Sequence, residues 1–89
     1  MAELSRFYGV IIRMFSEPSG KHNVPYFHAY SGEHLAVFSV SPLEMLAGAL
    51  PLRQRRLVEA WAESHREELL LDWNLLQQGR KPHPIPPLS

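Results

Sequence analysis

The sequence predicts an α+β fold: a small antiparallel sheet of three to four strands, then a long or kinked C-terminal helix and a proline-rich tail. Three observations carry this expectation. Between residues 7 and 40 apolar side chains alternate with a period of two and are rich in aromatic and β-branched types. From Leu52 to about Gln78 the apolar period changes to three or four. Residues 80–89 hold prolines at 82, 84, 86 and 87, which forbid a helix there. Eighty-nine residues make one domain. Its sheet part is expected at 1–50, its helical part at 51–79 and an extended tail at 80–89.

The first strand is read over Phe7–Phe15. Tyr8, Val10, Ile12 and Met14 fall on one face; Phe7, Ile11 and Phe15 fall on the other, with Arg13 among them. Both faces are largely apolar, which places this strand inside the sheet. Ser16–Asn23 offers Ser, Pro, Gly and Asn in close order, the chemistry of a loop. Pro25 suits the first position of the next strand, where a missing N–H costs least. That strand puts Tyr26, His28 and Tyr30 on one face, and Phe27 and Ala29 on the other. Ser31-Gly32-Glu33 signals a hairpin turn. His34–Val40 then forms a strand with Ala36, Phe38 and Val40 on one side, and Leu35 and Val37 on the other. Short connections between successive strands favour an antiparallel meander.

Ser41–Leu50 has two local readings. Ser41-Pro42-Leu43-Glu44 matches a capping box with proline at the first helical position. The segment is also short and closed by Gly48 and Pro51, which equally suits a strand around Leu43–Leu46.

Along the helical part, Leu57, Trp61, His65, Leu69, Trp73 and Leu76 draw one apolar stripe, widened by Val58, Ala62 and Leu75. Gly79 is well placed to end it. About 27 helical residues would span about 40 Å, whereas a chain of this length has an expected radius of gyration of about 12 Å. The helix therefore either bends near Ser64–Arg66 or carries its end onto another chain. Leu69, Leu70 and Leu71 are three successive leucines that one stripe does not hide, and with Trp73 they are the candidate interface residues.

Composition narrows the chemistry. Lysine plus arginine equals aspartate plus glutamate, nine each, so no global field draws in nucleic acid or an acidic membrane. The absence of cysteine removes disulfides, thiolate zinc sites and cysteine nucleophiles. The longest apolar run near the N-terminus is Val10-Ile11-Ile12, too short for a signal peptide or a membrane span. The expectation is a cytoplasmic protein with no membrane association. No phosphate-binding glycine loop, HExxH or zinc-finger spacing occurs, and neither cofactor nor metal is expected.

Histidine is the most suggestive residue type, with five copies; His22, His28 and His34 lie six apart. A strand carrying His-x-His would aim two imidazoles at one metal or one substrate. Here only Tyr26-x-His28 is present, and the ordinary reading is a strand histidine hydrogen-bonded among tyrosines. The sharper one makes His28 a general base, with Tyr26 beside it and Arg13 holding a phosphate. RNA, which supplies its own 2′-hydroxyl nucleophile, suits so sparse a set. Arg53, Arg55 and Arg56 crowd the start of the helix, where the helix dipole is already positive. They are either a solvated face paired with Glu59 or a nucleic-acid contact that Arg80 and Lys81, with His83, would extend. Trp61 and His65 are ordinary core residues of the stripe.

Several segments together resemble a known family: Ser5-Arg6-Phe7-Tyr8-Gly9-Val10-Ile11-Ile12-Arg13-Met14, Pro25-Tyr26-Phe27-His28-Ala29-Tyr30, Gly48-Ala49-Leu50-Pro51, and Trp61 with His65-Arg66-Glu67-Glu68-Leu69 and Asp72-Trp73. In this order they resemble the small prokaryotic family called domain of unknown function 4160. Members usually read Pro-Pro-His-Phe-His-Ala at the second motif. Val24 stands here for its first proline and Tyr26 for its first histidine, and Asp72 stands where asparagine is usual. The resemblance implies a small sheet followed by helix and favours the strand for Ser41–Leu50. It also implies a gene neighbouring another small gene, in a pair likened to a toxin–antitoxin module. The leading expectation is thus a protein-interaction module that binds a second small protein. The alternatives are an RNA-binding protein or ribonuclease using His28, Tyr26 and arginines, and a self-associating domain without chemistry.

Overall fold

A computed structural model describes residues 2–15 and 24–88. Five strands precede two helices: β1 (Ala2–Phe7), β2 (Val10–Met14), β3 (Tyr26–Ser31), β4 (His34–Val40), β5 (Leu43–Ala49), α1 (Leu52–Ser64) and α2 (Arg66–Gln77). The strands form one antiparallel meander in the order of the chain. The α+β class stands, with five strands in place of three to four. The extra strand is β1, which lies before the strand read over Phe7–Phe15 and shares only Phe7 with it. Tyr8 and Gly9 both take positive φ, 47° and 78°, and turn the chain between β1 and β2. That two-residue turn matches the twist of its flanking strands, but it lies inside an apolar run that masks it. The predicted loop Ser16–Asn23, with His22, lies outside the described residues.

Period-two alternation sorts the side chains as expected. Val10, Ile12, Met14, Phe27, Ala29, Ala36, Phe38 and Val40 are buried on the face that meets the helices. Phe27 stacks on Phe38 across β3 and β4 (centroids 5.5 Å apart). The indole of Trp61 from α1 closes over them, 6.1 Å from Phe27 and 5.3 Å from Phe7. Ser41–Leu50 is strand rather than helix: after the Ser41-Pro42 turn, β5 pairs with β4 from Leu43 to Ala49.

The single long helix is two. α1 ends at Ser64 and α2 begins at Arg66, with His65 between them at φ −121°. Neither proline nor glycine breaks it. Ser64 Oγ donates to the Ala60 carbonyl (3.1 Å), a back-bond that bends helices, and Glu67 and Glu68 favour a fresh N-terminus by their charge. His65 then sits across the corner, 2.5 Å from Glu68 through Nδ1. Of the two alternatives, the bend near Ser64–Arg66 is the one that forms: the radius of gyration is 12.0 Å and the longest extent 33 Å. Leu69 is wholly buried in the core, Leu70 is half-buried and Leu71 is exposed. α2 folds back along the sheet and so hides Leu69 and part of Leu70, while Leu71 stays at the surface. Among the described residues no helix is long and apolar enough to cross a membrane.

Residues 80–88 form an extended strap pinned at three points. The His83 N–H donates to Asp72 Oδ1 (2.8 Å), the Ile85 N–H to the Leu4 carbonyl (2.8 Å), and Trp61 Nε1–H to the Pro86 carbonyl (2.9 Å). Asp72 is only 1% exposed, and among the described residues its Oδ2 has no hydrogen-bond partner. Burial pushes its carboxyl above the usual carboxylate range, against the pull of the His83 N–H and the His83 charge; Glu68 adds to the rise. A raised folded-state pKa stabilises the fold below the unfolded value, and that contribution is lost as pH rises through the folded value. Asp72→Asn keeps an acceptor for His83 and removes the buried charge. It is expected to stabilise the protein by about 1–2 kcal/mol near pH 7.5, with the gain shrinking towards pH 4. Thermal unfolding at the two pH values checks this. A variant less stable at pH 7.5, or equally shifted at both, would rule it out.

Candidate functional site

The face of the sheet opposite the Phe27–Phe38 core gathers the chemistry-bearing strand residues. Cross-strand register sets Glu3, Arg13, His28, Val37 and Ala47 in one row across all five strands, and Arg6, Ile11, Tyr30, Leu35 and Ala49 in the next. Arg13 therefore stands directly opposite His28, and the guanidinium carbon of Arg13 lies 5.1 Å over the ring of Tyr30. Arg13 has an acidic neighbour in Glu3, but Arg6 engages that carboxylate at 2.8 and 3.2 Å. The hydrogen bond from Arg6 holds the carboxyl of Glu3 below its ordinary range, and the charge of Arg13 adds a smaller pull.

His28 lies among rings. Phe15 meets it edge-on at 4.7 Å, Tyr26 edge-on at 5.7 Å, and Tyr30 tilted at 6.2 Å. Tyr26, by contrast, is buried and packs on Trp73 of α2 (5.1 Å). The expected trio of Arg13, Tyr26 and His28 is brought together, but Tyr26 anchors the sheet to α2 while Tyr30 supplies the accessible ring. Tyr30 was legible by its alternation with His28; its meeting with Arg13 depends on the pairing of β2 with β3. Among the described residues no three His, Asp or Glu side chains gather as a metal site requires.

The basic residues do not merge into one patch. Arg53 and Arg56 are exposed in the first turns of α1, which follows β5, and Arg55 pairs with Glu59 at 3.3 Å. Arg80 and Lys81 are exposed beside Ala2 and Glu3 of β1, lining a cleft with Leu76, Pro82 and Pro84. β1 and β5 are opposite edges of the sheet, so the fold sends the two groups to opposite margins. Trp73 is half-buried against the core.

One feature escaped the sequence analysis. The two sheet edges are treated differently. β1 carries Glu3 and Arg6 and is covered by the strap through Ile85, devices that blunt an edge. β5, Leu43-Glu44-Met45-Leu46-Ala47-Gly48-Ala49, holds one charge and is exposed over most of its length. Leu46 (49% exposed), Leu35 on the neighbouring strand and Leu52 just beyond β5 are three of the six large apolar residues exposed in the described chain. The available signal was the nearly uncharged run from Leu43 to Leu50.

No curated protein and no solved structure matches the chain. The family model described as "Domain of unknown function (DUF4160)" matches residues 9–74, well over half of the chain, and the protein belongs to that family.

Proposed function

We propose that the protein is an interaction module that takes an extended segment of a second small protein alongside β5, in a cytoplasmic two-protein pair of the toxin–antitoxin kind. The unprotected β5 edge carries this reading. Edge strands present unpaired backbone donors and acceptors, and an added strand satisfies them while side-chain pockets select the partner. Here the flanking apolar residues, Leu35, Leu46 and Leu52, supply the contact area that backbone pairing alone lacks. A different protein suits the edge better than a second copy. The pairing of β4 with β5 slips between Val37 and Phe38, which leaves Leu46 as a bulge, and Gly48 adopts φ +78°. Two copies joined by a two-fold axis would each present that irregularity to the other, whereas a regular partner strand meets it once.

Co-expression with the product of the neighbouring gene tests the proposal. The two proteins are expected to co-purify, with amide exchange slowed along β5. Leu46→Lys and Leu35→Lys, both surface changes, should each weaken the complex at least tenfold and leave the melting temperature within a few degrees. A complex insensitive to both changes would remove β5 as the docking edge. A homodimer sensitive to both would replace the second protein with a second copy.

A further inference from the structure

The β1–β2 and β3–β4 turns stand side by side at one end of the sheet, because β2 and β3 are neighbours and Val10 faces Ser31 at the end of their ladder. Tyr8 and Gly9 form the first turn, Gly32 and Glu33 the second. Tyr8 follows β1 and Glu33 precedes β4, so three strand spacings, about 14 Å, separate their backbones. The two glycines lie between them. A Cβ built on Gly9 or on Gly32 meets nothing within 4 Å among the described residues, so the space over this glycine floor is open.

Tyr8 is costly where it stands. Its φ of 47° lies in the left-handed region, where an L side chain crowds the following carbonyl. A two-residue turn with both φ positive ordinarily takes Asn or Asp before its glycine. Tyr8 is 54% exposed, and its side chain has no hydrogen bond, ring contact or cation contact among the described residues. Every other phenylalanine, tyrosine and tryptophan packs on another ring. Packing therefore does not explain Tyr8, and stability by itself favours asparagine there. A strained and exposed side chain that the fold does not use points to a contact outside the chain.

Its neighbour across the glycines sets the chemistry of that contact. Glu33 is exposed and has no ion pair among the described residues. Arg6, close to Tyr8 along the chain, is held by Glu3 at 2.8 Å, so it does not offset Glu33. An aromatic face attracts a cation, and a carboxylate accepts its N–H groups. An anionic partner would be repelled by Glu33, and an apolar one would strip water from that carboxylate without replacing it.

We infer that the paired turns form a contact surface for another protein, taking one arginine side chain between the Tyr8 ring and the Glu33 carboxylate. Neither residue is among those assigned to the β5 edge, so the two proposals stand or fall separately.

Nuclear magnetic resonance titration of the full isotope-labelled chain with the blocked tripeptide acetyl-Gly-Arg-Gly-amide tests the site. Saturable shifts are expected at the amides of Tyr8, Gly9, Gly32 and Glu33. The same peptide with citrulline, the uncharged analogue, in place of arginine should produce none. Glu33→Gln and Tyr8→Asn should each weaken binding about threefold or more, whereas Tyr8→Phe keeps the ring and should retain it. Tyr8→Asn should also raise the melting temperature by a few degrees, because asparagine accepts the left-handed backbone. Weaker binding with greater stability is a combination that misfolding does not produce. Leu46→Lys should leave the shifts unchanged. Shifts that do not saturate, that the citrulline peptide reproduces, or that fall elsewhere on the sheet overturn the site. So does binding that survives either Glu33→Gln or Tyr8→Asn. A Tyr8→Asn protein less stable than the wild type would make Tyr8 a structural residue and remove the argument from strain.

Discussion

Gly48→Ala is expected to cost about 3 kcal/mol or more and to lower the melting temperature by more than 10 °C, on the scale of about 4–8 °C per kcal/mol for a chain this size. Gly48 sits in β5 at φ +78°. A Cβ built there would lie 2.1 Å from the Leu35 carbonyl oxygen and 3.0 Å from the Ala36 Cα. Both obstacles are backbone, so no rotamer change relieves them; β5 must move away from β4. The left-handed backbone alone costs a non-glycine residue about 1–2 kcal/mol, and the remainder comes from displaced pairing. Gly9 is the internal control. It has the same φ of +78° with nothing within 4 Å of a built Cβ, so Gly9→Ala should show the backbone cost only. Equal effects of the two substitutions would mean that β5 tolerates displacement and that the close approach at Leu35 carries no energy. Because Gly48 lies on the proposed docking edge, its loss is also expected to abolish partner binding.

The contrast between Gly9 and Gly48 shows what could be read from the sequence. Glycine within an apolar run signals a departure from regular backbone, but not which one. Gly9 turns the chain and Gly48 admits a neighbouring strand, and only pairing distinguishes them. Alternation was legible over the main core: Phe27, Ala29, Ala36, Phe38 and Val40 follow from period two, whereas Tyr26 and Ser39, buried on the other face, do not. The count of strands was not, because Tyr8 is an unusual residue at a turn and both flanks are apolar. The helical stripe was legible from Leu57 to Leu76, and its conflict with the size of the chain foretold either a bend or an overhang. The choice between them rests on Ser64 and on Glu67-Glu68, local signals set against an unbroken stripe. For the site, Arg13 and His28 were singled out from residue type, but their meeting depends on the register of β2 with β3. The open β5 edge was hidden for another reason: the sequence of an edge strand does not say what lies beside it.

Removing residues 82–89 is expected to destabilise the protein by about 3–4 kcal/mol and to make it associate edge to edge. Ile85 is buried in the core, and truncation of a buried isoleucine to alanine by itself costs about 2–4 kcal/mol. Deletion also frees Trp61 Nε1 and the Leu4 carbonyl from their strap partners, and takes from Asp72 the N–H that its buried carboxylate accepts. Ordering the strap costs conformational entropy, but its four prolines restrict the unfolded tail and reduce that cost. Water then reaches Trp61, so its emission should move to longer wavelength while the far-ultraviolet signal of the sheet persists. The strap covers β1, so its removal leaves both sheet edges open, and light scattering should show mass rising with concentration. Ile85→Ala in the full chain separates the two effects: it loses core packing but keeps the backbone bond to Leu4, so it should melt earlier and stay dispersed. A truncated chain that melts with the intact protein and scatters as a single species would show that the strap neither holds the core nor guards the edge. β5 would then need another explanation for standing bare.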